Sequence, residues 1–204
     1  MGQADGKDEE KPAHRVSLAS FRICRYPVTN SHWEAFRKAT GREKPVYVHE
    51  TAPAAGVNWF DAVAYCHWLA GQWSLPVRLP SEAEWECAAR GGVEHQAYPW
   101  GPDPLRYEAA RWQNGPEPVA NGQPNGYGLC DMCENVHEWC ADWYDAGYYA
   151  VSPRENPRGP EHGKRKASRG GAWRHHIKCS RCAARSSIPP EFRYADYGFR
   201  VAAD

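Results

Sequence analysis

The 204 residues carry 25 Lys and Arg against 25 Asp and Glu, so the formal net charge is zero. No strongly basic face is evident and no apolar run approaches about 18 residues, so we expect neither nucleic-acid binding nor a membrane span. The N-terminus has no hydrophobic segment of a signal peptide, and we therefore expect a cytoplasmic protein whose eight cysteines are mostly reduced.

Three helices are predicted from apolar spacing and end signals, at residues 29–41, 57–71 and 79–92. Thr29 or Asn30 caps the first helix. Gly71 is expected to end the second, and Ser81 with Glu84 forms a capping box for the third. Helices therefore occupy the first half of the chain.

The segment 98–128 is rich in Pro, Gly and Asn, and we expect it to be a loop held to the core by Trp100, Trp112 and Tyr127. Short strands are predicted at HRVSL (14–18), SFRICRYPV (20–28), KASRGGAW (166–173), SRCAARS (180–186) and YGFRVAA (197–203). Helices early and strands late indicate the α+β class, with an aromatic core formed from ten Trp and eleven Tyr.

Nine motifs in fixed order carry a resemblance to a known family: DEEKPAHRV, RYPVTN, VNWFDAVAYCHWL, RLPSEAEWECAARGG, YPWG, NGYGLCDMCENVHEW, RGGAW, RCAARS and YGFRVA. The chain resembles the formylglycine-generating enzyme family, also called the sulfatase-modifying-factor domain, over residues 1–204. The resemblance implies one α+β domain related to C-type lectins and low in regular secondary structure. Family members have a strand before a Met-Gly similar to Met1-Gly2, so an upstream strand or domain outside this sequence stays open.

The family's namesakes use oxygen and a copper ion held by two cysteines to oxidise a sulfatase cysteine to formylglycine. In RGGAWRHHIKCSRC, Ala172 stands at the family's Ser position and His175 at its first Cys position. Cys179 does not align with the second Cys, and Cys182 matches a non-catalytic cysteine. The resemblance therefore implies a divergent member that lacks the copper-binding cysteine pair.

Three interpretations of this segment stay open. In the first, His175 or His176 binds copper or iron together with Cys179, and Arg185 lines the pocket. In the second, the same His and Arg side chains form a metal-free pocket for an anionic or aromatic ligand. In the third, the histidines are solvated and the segment has a structural role.

The motif ENVHEWC resembles the family's calcium loop. The resemblance places a structural calcium ion between the side chains of Asn135 and Glu138 and the backbone oxygens of Val136 and Cys140, and oxygen ligands suit calcium. Glu134 replaces the family's usual Gly. The alternative is a loop held by hydrogen bonds without metal.

Two CxxC pairs, at 130–133 and 179–182, also permit a four-cysteine zinc site, and a disulfide from Cys140 to Cys179 or Cys182 is a further alternative.

Two functions follow from these observations. The first is a metal-dependent oxidase or other modifying enzyme with an altered active site, acting on a small molecule or peptide and distinct from the standard sulfatase-activating copper oxidase. The alternative is a non-catalytic, C-type-lectin-like module that binds a ligand or protein. Metal at the C-terminal pocket separates the two.

Overall fold

The computed structural model describes residues 1–42, 44, 49–104 and 115–204, and every structural statement below refers to them. The helices are α1 (Asn30–Thr40), α2 (Trp59–Trp73) and α3 (Glu82–Arg90), and short 3₁₀ helices lie at Asp8–Glu10, Tyr148–Ala150 and Ile177–Ser180. The strands are β1 (Arg22–Ile23), β2 (Val77–Arg78), β3 (His137–Trp143), β4 (Lys166–Arg169), β5 (Ser186–Ile188), β6 (Tyr197–Gly198) and β7 (Ala202–Ala203). Most of the described chain is therefore loop and turn. None of the described helices has the length and apolar character needed to cross a bilayer.

The strands form two small sheets. One has the order β1-β7-β2, and the other has the order β5-β4-β3-β6. In the second sheet β3 pairs antiparallel with β4 and parallel with β6, so that His137 lies opposite Tyr197. The start of β3 is consequently placed beside the chain that enters β6.

The ends of α1 and α3 confirm the capping signals. The Thr29 hydroxyl accepts a hydrogen bond from the His32 amide, and Ser81 and Glu84 form a reciprocal capping box. Gly41 and Gly91 end their helices in the left-handed conformation that glycine adopts without strain.

The predicted end of α2 at Gly71 is wrong. The helix continues to Trp73 and ends at Ser74, which adopts the left-handed conformation with φ of 52°. A glycine inside a helix costs only about 1 kcal/mol, which the packing of the helix offsets. Tyr65, Cys66 and Leu69 provide that packing, since all three are buried in the main core.

The main core is aromatic, as the composition indicates. Trp33 stacks on Tyr65 with 5.8 Å between ring centroids, and Phe36 and Phe199 meet these rings edge-on. A second apolar cluster around Trp85 lies between α3 and β4. The two clusters bury the helices against the two sheets.

The three aromatic residues predicted to hold the loop 98–128 to the core are placed differently. Trp100 packs against the second cluster. Tyr127 is 58% exposed, and its ring lies over Gly92 after α3 and not in the core. Trp112 lies outside the described residues. Cys87 on α3 is exposed.

All five predicted strands are shorter than expected. Residues 20–28 keep only β1, residues 166–173 keep only β4, and residues 197–203 divide into β6 and β7. The segment 14–18 contributes only a single bridge, from Ser17 to Glu155. In the segment 180–186 the Cys182 amide donates to Ala97 and the Ala184 amide closes a turn, so pairing begins only at Ser186.

A buried charge network joins α3 to the second sheet. Arg185 pairs with both oxygens of Glu82 at 2.8 and 2.9 Å, and Arg169 pairs with Glu86. Asp142 accepts a hydrogen bond from the Glu82 amide at 2.8 Å and so caps the first turn of α3. Because this carboxyl is buried and lies close to Glu82, its pKa is raised to about 7.

This raised pKa predicts a pH-dependent effect of Asp142→Asn. The unfolded chain ionises Asp142 near pH 4, whereas the folded chain keeps it neutral up to about pH 7. The stability that wild type gains from this group is therefore present at low pH and lost as the pH rises through 7. We expect urea denaturation to show the variant gaining stability relative to wild type between pH 5 and pH 8. A difference that is constant with pH would contradict this account of Asp142.

Candidate functional site

A Gly-Gly turn follows β4 and redirects the chain toward β3. Gly170 and Gly171 have φ angles of +94° and +67°, where side chains cause strain. A Cβ at Gly171 would lie 2.9 Å from the Cys179 carbonyl oxygen and would also meet Ser180. The Glu134 amide donates to the Gly170 carbonyl at 2.6 Å, so the turn is fixed to the segment that enters β3.

Three polar side chains meet where this turn, β3 and β6 come together. His137 is the first residue of β3, and its amide donates to the Asp196 carbonyl at 2.8 Å. His175 follows the Gly-Gly turn in a tight turn closed by its amide on the Ala172 carbonyl at 2.9 Å. One ligand atom from each of His137, His175 and Asp196 can be chosen so that all three lie within 4.8 Å of one another.

His175 lies between the other two members of this cluster. Its Nδ1 is 2.9 Å from Nε2 of His137, and its Nε2 is 3.4 Å from Oδ2 of Asp196. The His175 side chain is 36% exposed, whereas Asp196 is fully buried and His137 nearly so. The cluster therefore has two buried members and one at the surface.

Neighbouring groups hold the two buried members. Arg174 donates to Oδ1 of Asp196 at 2.6 Å, which leaves Oδ2 facing His175. Tyr197 stacks on His137 with 4.7 Å between ring centroids. Burial, with a smaller contribution from His175, lowers the pKa of His137 to about 3, so this imidazole is neutral at pH 7.

The donor set of this cluster suits a transition metal. Two imidazoles and one carboxylate form the ligand set of many non-haem iron sites, and imidazoles also bind copper and zinc. Donors at about 2.1 Å from one ion lie about 3 to 4 Å apart. The distance between Nε2 of His137 and Nδ1 of His175 falls at the lower edge of that range. One ion would take only one nitrogen of the His175 ring, and one ligand atom from each of the three residues lies within 4.8 Å of the others.

The other predicted site residues lie elsewhere. The exposed His176 accepts a hydrogen bond from the Lys178 amide and caps the 3₁₀ helix Ile177–Ser180, which contains the half-buried Cys179. Arg185 binds Glu82 and the carbonyls of Glu9 and Asp145, so its guanidinium is engaged in the charge network. Of the four candidates, only His175 belongs to the cluster.

His137 and Asp196 were not predicted from the sequence. His137 lies inside the motif ENVHEWC, in which Asn135 and Glu138 resemble calcium ligands, and Asp196 directly precedes the motif YGFRVA. The parallel pairing of β3 with β6 brings them together across about 60 residues of chain. Single-sequence spacing carries no signal of that pairing.

The predicted calcium ligands make other contacts. Both oxygens of the fully buried Glu138 bind Arg200, at 2.6 and 2.7 Å, and one also accepts from the Trp85 indole at 2.7 Å. The Asn135 side chain bonds both backbone groups of Glu117, at 3.0 and 3.2 Å. As arranged, these donors do not fit one calcium ion, because Glu138 would have to release Arg200.

The two residues predicted to bind calcium through their backbone oxygens, Val136 and Cys140, lie in other surroundings. Val136 is buried in the core, and the Cys140 carbonyl accepts a hydrogen bond from the Trp59 indole at 2.9 Å. Calcium binding at this loop stays a prediction.

The two CxxC pairs do not gather into a metal site. Among the residues that the structure describes, His137, His175 and Asp196 form the one His, Cys, Asp or Glu group able to hold a metal. Cys133 and Cys182 instead lie in the buried apolar cluster around Trp85, and the Cys140 thiol faces the Glu138 carbonyl at 4.0 Å. All eight cysteines are free thiols, including those suggested for a Cys140 disulfide.

Two features define the class of protein. The fold is α+β and rich in loops, and a polar cluster lies where turns meet the ends of short strands. The model of the sulfatase-modifying factor enzyme 1-like domain matches residues 1–204, and the chain belongs to this family. This match and the likeness to a solved structure confirm the predicted formylglycine-generating-enzyme-like fold, which is related to C-type lectins and low in regular secondary structure.

Relatives agree with this assignment. The chain is 35% identical over 268 residues to a formylglycine-generating enzyme of Thermomonospora curvata, covering 97% of this chain and 86% of that protein. It is 34% identical over 226 residues to the serine/threonine-protein kinase pkn1 of Chlamydia caviae, covering 98% of this chain but only 36% of the kinase. The chain thus spans about a third of the length of that relative.

A solved structure has the same fold. The structure of PvdO from Pseudomonas aeruginosa superimposes with a TM-score of 0.87 at 30% identity, and the match covers 100% of this chain and 90% of PvdO. A modifying-enzyme-like protein is the coarse function that the family supports.

The Gly-Gly turn predicts a contrast between two glycine substitutions. Gly171→Ala should destabilise the fold by about 1 to 3 kcal/mol, because the residue has positive φ and meets the Cys179 carbonyl. Gly71→Ala should stabilise it by about 0.5 to 1 kcal/mol, because Gly71 lies inside α2 with open space around it. Urea denaturation measures both. If both substitutions changed the free energy of unfolding equally, the fold would not require the left-handed backbone at Gly171.

Proposed function

We propose that the chain is a metal-dependent modifying enzyme, an oxidase with an altered active site in which His137, His175 and Asp196 hold the metal ion. The observation that carries the proposal is the meeting of these three side chains at the Gly-Gly turn, with His175 at the position where the resemblance places the first copper-binding cysteine.

The ligand set supports a metal other than the family's copper(I). Soft thiolates select copper(I), whereas two imidazoles and a carboxylate favour iron(II), copper(II) or zinc. A bound iron or copper ion would supply one-electron and oxygen chemistry at this position. Ala172 and His175 leave the thiolate pair incomplete, so formation of formylglycine on a sulfatase peptide is not expected.

The residues of this chain would position the reaction. Arg174 holds Oδ1 of Asp196 and so directs Oδ2 toward His175. Tyr197 fixes the plane of His137 by stacking. The exposed edge of His175 is the side from which a small molecule or peptide would approach. The exposed ring of Tyr194 lies 6.0 Å from Tyr197, the residue that stacks on His137.

Metal binding tests this function directly. The purified chain is loaded with iron(II) under anaerobic conditions, and separately with copper(II) and zinc(II), then desalted and analysed for metal. We expect about one ion per chain, with affinity reduced at least about 10-fold in His175→Ala and in Asp196→Asn, because each removes one of three ligands. The adjacent exposed His176→Ala is the matched control and should bind as wild type does.

Oxygen consumption separates an oxidase from a binding module. The iron- or copper-loaded chain is supplied with a thiol reductant, and we expect oxygen uptake that His175→Ala abolishes and His176→Ala retains. Retention of no transition metal, together with oxygen uptake equal to that of buffer, would contradict the proposal and favour the non-catalytic alternative.

A further inference from the structure

We propose that the outer face of α2 is a self-association surface, through which two copies of this chain pair antiparallel about a two-fold axis. The surface is the stripe of Phe60, Ala64, His67 and Gly71. These residues are spaced i, i+4, i+7 and i+11, so they lie along one side of the helix. Phe60, His67 and Gly71 are exposed, and Ala64 is half-buried. The proposal does not depend on the proposed metal site.

The first observation is that this stripe carries no charge. Eleven of the fifteen residues of α2 are hydrophobic, and the one Asp, Glu, Lys or Arg among residues 59–73 is Asp61, which is buried and pairs with Arg193. The outer side of α1, by contrast, carries Glu34 paired with Arg37 and Lys38. A helix that is apolar on both sides is typical of a covered helix. An uncharged face also meets its own copy without the repulsion that a charged face would produce across a two-fold axis.

The second observation is a glycine that one chain does not require. Gly71 lies in the last turn of α2 with an ordinary helical backbone, where glycine is less favourable than alanine. Outside its own stretch of helix, no atom of the described residues lies within 4 Å of the position that a Cβ would take there. The fold of one chain therefore needs neither the backbone freedom of this glycine nor the open space over it.

The spacing of the stripe supplies a side chain that fits this space. Phe60 is 53% exposed and lies three turns, about 16 Å along the helix axis, from Gly71. If the two-fold axis passes midway between these residues, each Phe60 lies opposite Gly71 of the partner subunit and each Ala64 opposite His67 of the partner subunit. A large residue then faces a small one, which lets the two helices approach closely. A second copy is the occupant that fits, because one face supplies both the ring and the space for it.

The concentration dependence of the molecular mass tests the proposal. The contact covers about three helical turns, so its area lies at the lower end of specific interfaces, and we expect a reversible dimer with a dissociation constant of about 10 to 100 µM. Sedimentation equilibrium of the full chain is measured from about 5 to about 500 µM, a range that brackets this affinity. The weight-average mass should rise with concentration toward twice the mass of one chain.

Charged variants of the stripe test the register of the pair. Phe60→Glu puts an acid in the first turn of α2 and Gly71→Lys puts a base in its last turn, and both charges suit the helix dipole. Each should raise the dissociation constant at least about 10-fold, because each removes or blocks the ring at both contacts. The double variant places opposite charges at both contacts and should associate at least about 3-fold more tightly than either single variant.

A matched control and a competing surface make the outcome decisive. Ala39→Lys makes the same change of charge at an exposed position in the last turn of α1 and should associate as wild type does. Thermal melting at low concentration should show that each variant is folded. A wild-type chain that stays monomeric at the highest concentration would overturn the proposal. So would association that survives in Phe60→Glu but is lost in Trp73→Lys, an exposed ring away from the stripe, and so would a double variant that recovers nothing.

Discussion

The buried ion pair between Glu138 and Arg200 is the constraint on which the rest of this structure depends. Glu138 lies in β3 and also accepts from Trp85 of α3. The remaining donors of Arg200 bind the carbonyls of Cys24, Arg25, Cys130 and Asp131, so one guanidinium joins segments from both sheets and the loop before β3. Removing one partner of such a pair typically costs about 3 to 5 kcal/mol, because the other charge is left buried and unpaired.

This ion pair helps to set the positions of the residues in the polar cluster of His137, His175 and Asp196. His137 is the residue before Glu138, so the position of the ion pair fixes the start of β3, and the parallel pairing with β6 then fixes Asp196. The Gly-Gly turn adds His175 from the other side. The protein thus places the two buried members of the cluster at the paired starts of β3 and β6 and leaves His175 on a turn, where its side chain is 36% exposed.

Much of the fold was predictable from the sequence because the signals are local. The capping box of Ser81 and Glu84 and the left-handed Gly41 set helix ends without reference to the rest of the chain. The site was only partly predictable. His175 was named because the resemblance places it at the family's first Cys position, whereas His137 and Asp196 meet through a strand pairing that no local pattern specifies. Glu138 was predicted to bind calcium. It pairs with Arg200, which lies 62 residues away in the sequence, and no local pattern specifies that contact.

We propose that His137, His175 and Asp196 together hold one metal ion. The most direct test of this proposal is a crystal of the full chain soaked in cobalt(II), a stand-in for iron(II), with anomalous diffraction measured at the cobalt edge. We expect one strong peak bounded by the three side chains, at about 2.1 Å from each ligand atom. A map with no peak there, and cobalt bound instead at Cys179 or at Glu138, would contradict the claim.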